Sequence, residues 1–187
     1  MEKIDKLQTE LISKNEVLSN YLEPPCKAHV TLSVMHLEDD ELETCKSMLQ
    51  EKFKPNLSEA DRTMTFEGIG RFGNRVLFVK PHTGIESLQK MHEDLQNLLI
   101  ESELKTEVGR DFHPHVTLFK TCRPKSGRKR KRNNETKEKL GLDDELLEEF
   151  KDLHFGEEIV EEIQLLSMTK PKAEDGYYHC EASFSLC

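Results

Sequence analysis

Two stretches of this chain carry the same four residues, His29-Val30-Thr31-Leu32 and His115-Val116-Thr117-Leu118, 86 positions apart. Each lies in a short run rich in β-branched and apolar residues, Ala28 to Val34 and Pro114 to Phe119, which reads as a strand. Side chains on a strand alternate between faces, so each histidine shares a face with the threonine two residues on, while Val and Leu share the other. Each strand would present an imidazole beside a hydroxyl and bury two aliphatics. Two such strands facing one cleft would supply two histidines and two hydroxyls, a clamp suited to a phosphate and in need of no metal. The expected catalytic residues are His29, Thr31, His115 and Thr117.

A single His-x-Thr on a strand is ordinarily a solvated or hydrogen-bonded surface pair. The recurrence changes that balance because its context also repeats. Ile4, Leu7, Leu11 and Leu18 stand at helical spacing ahead of the first copy, and Ile85, Leu88, Met91, Leu95, Leu98 and Leu99 ahead of the second. A helix leading into His-Val-Thr-Leu occurs twice, which points to duplicated half-domains.

The elements that must position these residues follow from pattern and turn chemistry. Helices are expected at 2–20, 39–53, 84–102 and 143–154, and strands at 28–35, 64–70, 75–80, 115–120, 160–169 and 177–185. Asp39 and Asp40 precede the second helix, and Leu42, Cys45, Leu49 and Phe53 form its apolar stripe. Phe72-Gly73-Asn74-Arg75 reads as a tight hairpin turn, since Gly and Asn tolerate positive φ. Helices among antiparallel hairpins indicate an α+β class with two lobes, the motif strands facing each other.

The length, 187 residues, suits one domain (1–187) with a proper core. Charged residues make up 34% and aromatics 6%, with no Trp, so the core must be aliphatic and the surface well solvated. Five cysteines are odd in number and lack Cys-x-x-Cys spacing, which reads as reduced thiols in a cytoplasmic or nuclear protein. No apolar run reaches membrane-span length and no signal-peptide core opens the chain. The net charge of −9 argues against sequence-blind binding to long nucleic acid. Charge is unevenly placed, however: Arg128 to Arg132 is wholly basic and Asp143 to Glu162 strongly acidic. A flexible basic loop is expected over about 121–140, serving either nuclear import or phosphate contact, or no partner at all.

Other candidates carry less. Strand parity puts Phe119 on the face of His115 and Thr117, where an aromatic could stack a base. In the last strand Cys180, Ala182 and Phe184 should be buried, leaving His179 and Glu181 on the other face, towards the cleft, with His179 a second candidate for substrate binding beside Phe119. His113 is expected in a structural or solvent role, and His36, His82, His92 and His154 on helix or loop surface. No metal-ligand spacing and no Gly-rich phosphate loop stands out, so neither metal nor nucleotide cofactor is expected.

The paired His-x-Thr-hydrophobic motifs resemble the signature of the 2H phosphoesterase superfamily, whose LigT-like members act on RNA ends and on 2′-linked or cyclic phosphates. Phe66 to Phe72, Val76 to Lys80, His154 to Ile159 and Gly176 to Glu181 narrow the resemblance to the central domain of the A-kinase anchoring protein 18 type, or the sister leukocyte receptor cluster member 9 type. It covers about Leu7 to Phe184. The resemblance implies a two-lobed fold with antiparallel sheets flanking a central cleft and helices outside. It also implies a phosphodiesterase acting at a ribose 2′-oxygen, on 2′,5′-linked oligoadenylate or a 2′,3′-cyclic phosphate end. One histidine would take a proton from water and the other give one to the departing oxygen, the threonines holding the non-bridging oxygens. Spacing leaves open which histidine is which; the resemblance implies His115 as base and His29 as acid. The alternative is a non-catalytic module binding a nucleoside monophosphate, AMP or CMP. The expected partner is thus an RNA end, oligonucleotide or nucleoside monophosphate, with no membrane and a monomeric chain. Two features depart from the family: the first helix-like stretch starts almost at Met1, with no strand before it, and no kinase-anchoring helix follows Cys187.

Overall fold

A computed structural model describes residues 2–104, 111–121, 140–142 and 144–186. The helices are α1 (Glu2–Lys14), α2 (Asp39–Lys52), α3 (Glu59–Arg62), α4 (Ile85–Glu101) and α5 (Asp144–Glu149). The strands are β1 (Thr63–Phe72), β2 (Val76–Pro81), β3 (Val116–Lys120), β4 (His154–Ile159), β5 (Glu162–Ser167) and β6 (His179–Ser185). The strand order is β3-β2-β1-β4 in one sheet and β5-β6 in the other. β2 pairs antiparallel with β3, and β5 with β6. The class is α+β, as the hairpin pattern implied.

The chain divides into two compact units that do not follow the sequence halves. Unit 1 holds Met1–Ala28, Glu67–Lys80 and Val116–Phe155; unit 2 holds His29–Phe66, Pro81–His115 and Gly156–Cys187. The expected half-domains would each pair a helix with the motif it leads into. Instead α1 shares a unit with β3 of the second motif, and α4 with the first motif. Hydrogen bonding gives the reason within unit 1: Gln8 of α1 donates to the Leu118 carbonyl at 3.0 Å, and Leu22 forms a single bridge to Phe119.

Unit 1 buries Leu7, Leu11 and Leu18, the stripe read from the sequence, although α1 stops at Lys14 and Leu18 sits in a 3₁₀ turn, Glu16–Tyr21. Asn15 breaks the helix because its side-chain oxygen accepts from the Val17 amide at 3.2 Å. The hairpin turn after β1 is as expected: Arg75 donates its amide to the Phe72 carbonyl, and Gly73 has φ +55°. The two ends of the expected basic loop are tied to this turn. Thr121 donates its amide to Arg75, Leu140 donates its amide to Asn74, and both residues are buried. The block Arg128 to Arg132 lies outside the described residues.

The core of unit 2 gathers Cys45, Met48, Leu49 and Phe53 of α2 with Met64, Phe184 and the stripe Leu88, Met91, Leu95 and Leu99 of α4. Ile85 is the exception to that stripe, being 44% exposed at the helix start. α2 starts at Asp39 as expected, but Asp39 and Asp40 occupy its first turn instead of preceding it: Glu38 caps it, its amide bonded to the Glu41 carboxylate. β4 covers residues read from sequence as the end of a helix and a connection; its Glu-rich pattern gives no alternation for a strand to show.

Candidate active site

The first motif is not a regular strand. His29 follows a 3₁₀ turn, Pro25–Lys27, and only Val30 and Met35 form isolated bridges. The alternation still holds: Val30 and Leu32 pack on the core of unit 2, while Thr31 is exposed and His29 half-buried. Side chains of α4 take the place of a ladder. His92 Nδ1 bonds the Leu32 carbonyl at 2.6 Å, and Gln96, one turn further along, donates to Ser33 Oγ at 2.8 Å. His29 makes an edge-to-face contact with Tyr178, ring centroids 5.5 Å apart at 82°. Tyr178 is carried on a closed turn: Ala173 donates to the Tyr177 carbonyl, the Tyr177 amide to Asp175 Oδ1, and Lys172 Nζ lies 5.6 Å from the Tyr178 ring centre.

The second motif begins with His115, half-buried and just ahead of β3. Its Nδ1 lies 2.7 Å from the His113 carbonyl. A carbonyl oxygen can only accept, so Nδ1 carries the hydrogen and a neutral ring has its lone pair at Nε2. His113, expected in a structural or solvent role, is exposed and contributes through this carbonyl. Among the four expected catalytic residues, the structure places His29, Thr31 and His115 in unit 2 and Thr117, half-buried opposite Phe78, in unit 1.

Phe119 departs from expectation. It is fully buried, as is Leu118 beside it. The pairing runs Val79 with Val116 and Phe78 with Thr117, then skips to Leu77 with Phe119, so Leu118 is a bulged residue. A bulge inverts the alternation beyond it. Phe119 is therefore on the core side instead of sharing a face with Thr117, and Lys120 is exposed.

A bulge also shifts β6. Leu165 pairs with Ala182 and Leu166 with Cys180, leaving Glu181 unpaired between them. Cys180, expected in the core, is exposed for that reason, while Phe184 is buried as expected. His179 and Glu181 do share a side, with His179 Nε2 3.8 Å from Glu181 Oε1. The Glu181 side chain is only 8% exposed and meets Lys170 at 2.6 Å and Lys46 at 3.9 Å. The Lys170 hydrogen bond, backed by the charges of Lys170, His179 and Lys46, holds its carboxyl below the usual carboxylate range. His36, His82 and His154 are exposed as expected; His92 is not a surface residue but half-buried against the first motif.

Sequence reading missed His92 and Tyr178 as parts of this region; it placed Glu181 beside His179 but gave no sign of its lysine partners. His92 follows Met91 of the buried stripe by one position, so periodicity marks it as flank, and nothing local reveals its carbonyl partner. Among the described residues, no group of three or more His, Cys, Asp or Glu side chains is placed to hold a metal ion. No helix among them is long and apolar enough to cross a membrane.

Comparison with known proteins agrees with the motif reading. The chain is 36% identical over 187 residues to A-kinase anchor protein 7 isoform gamma of Homo sapiens, covering 96% of this chain and 51% of that protein. It thus spans about half the length of that relative. Among solved structures, TT0787 of Thermus thermophilus superposes with a TM-score of 0.60 at 19% identity, covering 97% of this chain and 92% of the other. LigT of E. coli in its apo form gives 0.59 at 16% identity over 100% and 92%, and LigT complexed with 3′-AMP gives 0.56 at 15% over 97% and 91%. These likenesses establish a LigT-like α+β fold. The sequence family described as the AKAP7 2′5′ RNA ligase-like domain matches residues 1–186, and the chain belongs to that family.

Proposed function

We propose that this chain is a metal-independent phosphodiesterase acting at a ribose 2′-oxygen, on 2′,5′-linked oligoadenylate or on 2′,3′-cyclic phosphate ends of RNA. The observation that carries this reading is the His115 Nδ1 contact with the His113 carbonyl, because it presents Nε2 as a base in the neutral ring. Membership of the 2′5′ RNA ligase-like family supports phosphodiester chemistry in general.

In the proposed reaction, His115 Nε2 takes a proton from water as the water oxygen bonds to phosphorus. The bond from phosphorus to the leaving oxygen breaks, and that oxygen takes a proton from the His29 imidazolium. Thr31 and Thr117 donate hydrogen bonds to the non-bridging oxygens, where charge develops. Imidazole suits both roles because its ordinary pKa, about 6.5, lies near working pH. We place the activity in the cytosol or nucleus.

The test is turnover of 2′,5′- and 3′,5′-linked dinucleotides and of a 2′,3′-cyclic nucleotide in excess EDTA. His29→Ala and His115→Ala should each lower kcat by about 10² to 10⁴-fold, and the double variant little further. Abolition by EDTA, or full activity in either single variant, refutes the mechanism. The second reading, a nucleoside monophosphate binding module, is favoured by the anchor-protein relative. Tight binding of AMP or CMP with no turnover of any of the three substrates would establish it instead.

A further inference from the structure

The same atom is held in both motifs: the carbonyl oxygen of the leucine that closes His-Val-Thr-Leu. In unit 2, His92 Nδ1 of α4 lies 2.6 Å from the Leu32 carbonyl. In unit 1, Gln8 Nε2 of α1 donates to the Leu118 carbonyl at 3.0 Å. Each contact immediately follows the threonine of its motif. His92 also reaches the second segment, its ring stacked on Phe112 with centroids 4.4 Å apart at 7°. Phe112 stands three residues before His115 and packs on the core of unit 2.

We infer that His92 and Gln8 are positioning residues that lock the two His-x-Thr segments by their leucine carbonyls, with His92 coupling the first segment to the approach of the second through Phe112. The first segment has isolated bridges where a ladder would stand, so its backbone needs such a tether. The His92 contact fixes the Leu32–Ser33 peptide, one residue beyond Thr31, and through it the backbone that carries the Thr31 hydroxyl. The stack fixes the chain leading to His113, whose carbonyl orients His115. Gln8 performs the first of these tasks for Thr117. It is 2% exposed, its Oε1 is buried without a hydrogen-bond partner, and its Nε2 donates to both the Glu23 carbonyl at 2.8 Å and the Leu118 carbonyl at 3.0 Å, tying the motif to the segment beside it. Neither residue touches the reacting atoms in this account; both act through the backbone. The turnover arm of the test rests on the proposed phosphodiesterase reading, and the spectroscopic arm does not.

Three His92 variants separate the two contacts. His92→Asn retains a side-chain N–H near the Nδ1 position and loses the stack; His92→Phe retains the stack and loses the donor; His92→Ala loses both. The Leu32 carbonyl ¹³C shift should move in the Phe and Ala variants and stay close to wild type in Asn. The His115 Cε1–H resonance should move most in Ala and least in Phe. With a 2′,5′-linked dinucleotide, His92→Ala should lower kcat by about 10-fold or more while KM stays within about 2-fold, because geometry and not substrate affinity is lost. Asn and Phe should each recover part of it. Gln8→Met keeps the volume but removes both Nε2 bonds, to the Leu118 and Glu23 carbonyls, leaving the Leu118 carbonyl its bond from the Glu23 amide at 3.0 Å. The Leu118 carbonyl ¹³C shift should move and kcat should fall, with KM within about 2-fold.

A Leu32 carbonyl shift unchanged in His92→Ala, or a loss appearing wholly in KM, overturns the clamp. Carbonyl and imidazole shifts that respond as described in a chain that hydrolyses none of the dinucleotides uphold the clamp and sink the phosphodiesterase reading alone.

Discussion

Phe119 offers the sharpest test of how strand irregularity decides function, because alternation alone would aim it at a bound base. Its ring is fully buried beside Leu118 and opposite Leu77, both also fully buried. Truncation to Ala removes a buried aromatic and leaves a cavity, a cost of about 3–5 kcal/mol. For a chain of this length each kcal/mol moves Tm by about 2–4 °C, so Phe119→Ala should melt roughly 6–20 °C lower. Phe119→Leu, which refills most of the volume, should cost only about 1–1.5 kcal/mol and a few degrees. Thermal unfolding by circular dichroism measures both. The Leu variant should then be titrated with AMP, and its Kd should match wild type within about 2-fold. A base-stacking Phe119 gives the opposite pattern, since losing a stacked base costs about 1–3 kcal/mol of affinity with little change in Tm. Phe119→Ala melting like the wild type, or Phe119→Leu binding AMP about 10-fold more weakly at unchanged Tm, refutes the bulge argument.

Three further outcomes follow from unit geometry and charge. Gly68 has φ +69°, and a methyl there meets the Lys151 carbonyl, so Gly68→Ala should cost more than about 2 kcal/mol in chemical denaturation; Gly73→Ala, at φ +55° in open space, should cost only about 1 kcal/mol. The Glu181 carboxyl is held below its ordinary value by Lys170 first, so its contribution to stability is full above an unfolded pKa of about 4.3 and is lost as pH falls through the lower folded value. The Tm gap between wild type and Glu181→Gln should therefore be widest near neutrality and close below about pH 4; a gap independent of pH would contradict it. Deleting residues 126–136 should leave dinucleotide turnover intact and reduce the salt dependence of binding to longer oligonucleotides, measured by fluorescence anisotropy across ionic strengths.

The sequence by itself determined the α+β class, the turn at Phe72–Arg75, the apolar stripes of α1, α2 and α4, and the paired His-x-Thr motifs on which the family resemblance rests. These are local quantities: helical periodicity, turn chemistry and a repeated tetrapeptide are each written within a few residues. The inward faces of both motifs were legible for the same reason, since Val30, Leu32, Val116 and Leu118 alternate with polar neighbours. Tertiary structure alone decided the bulges at Leu118 and Glu181, which put Phe119 into the core and Cys180 on the surface. A bulge is fixed by how two strands pair, and the one-dimensional alternation of either strand carries no trace of it. The same holds for His92. On its helix it is a flanking residue, and its role exists only because folding brings the carbonyl of Leu32, 60 residues away, to within 2.6 Å of its ring. Long-range hydrogen bonds to backbone carbonyls leave no side-chain signature at the accepting end, which is why the tether of the first motif had to be seen in three dimensions.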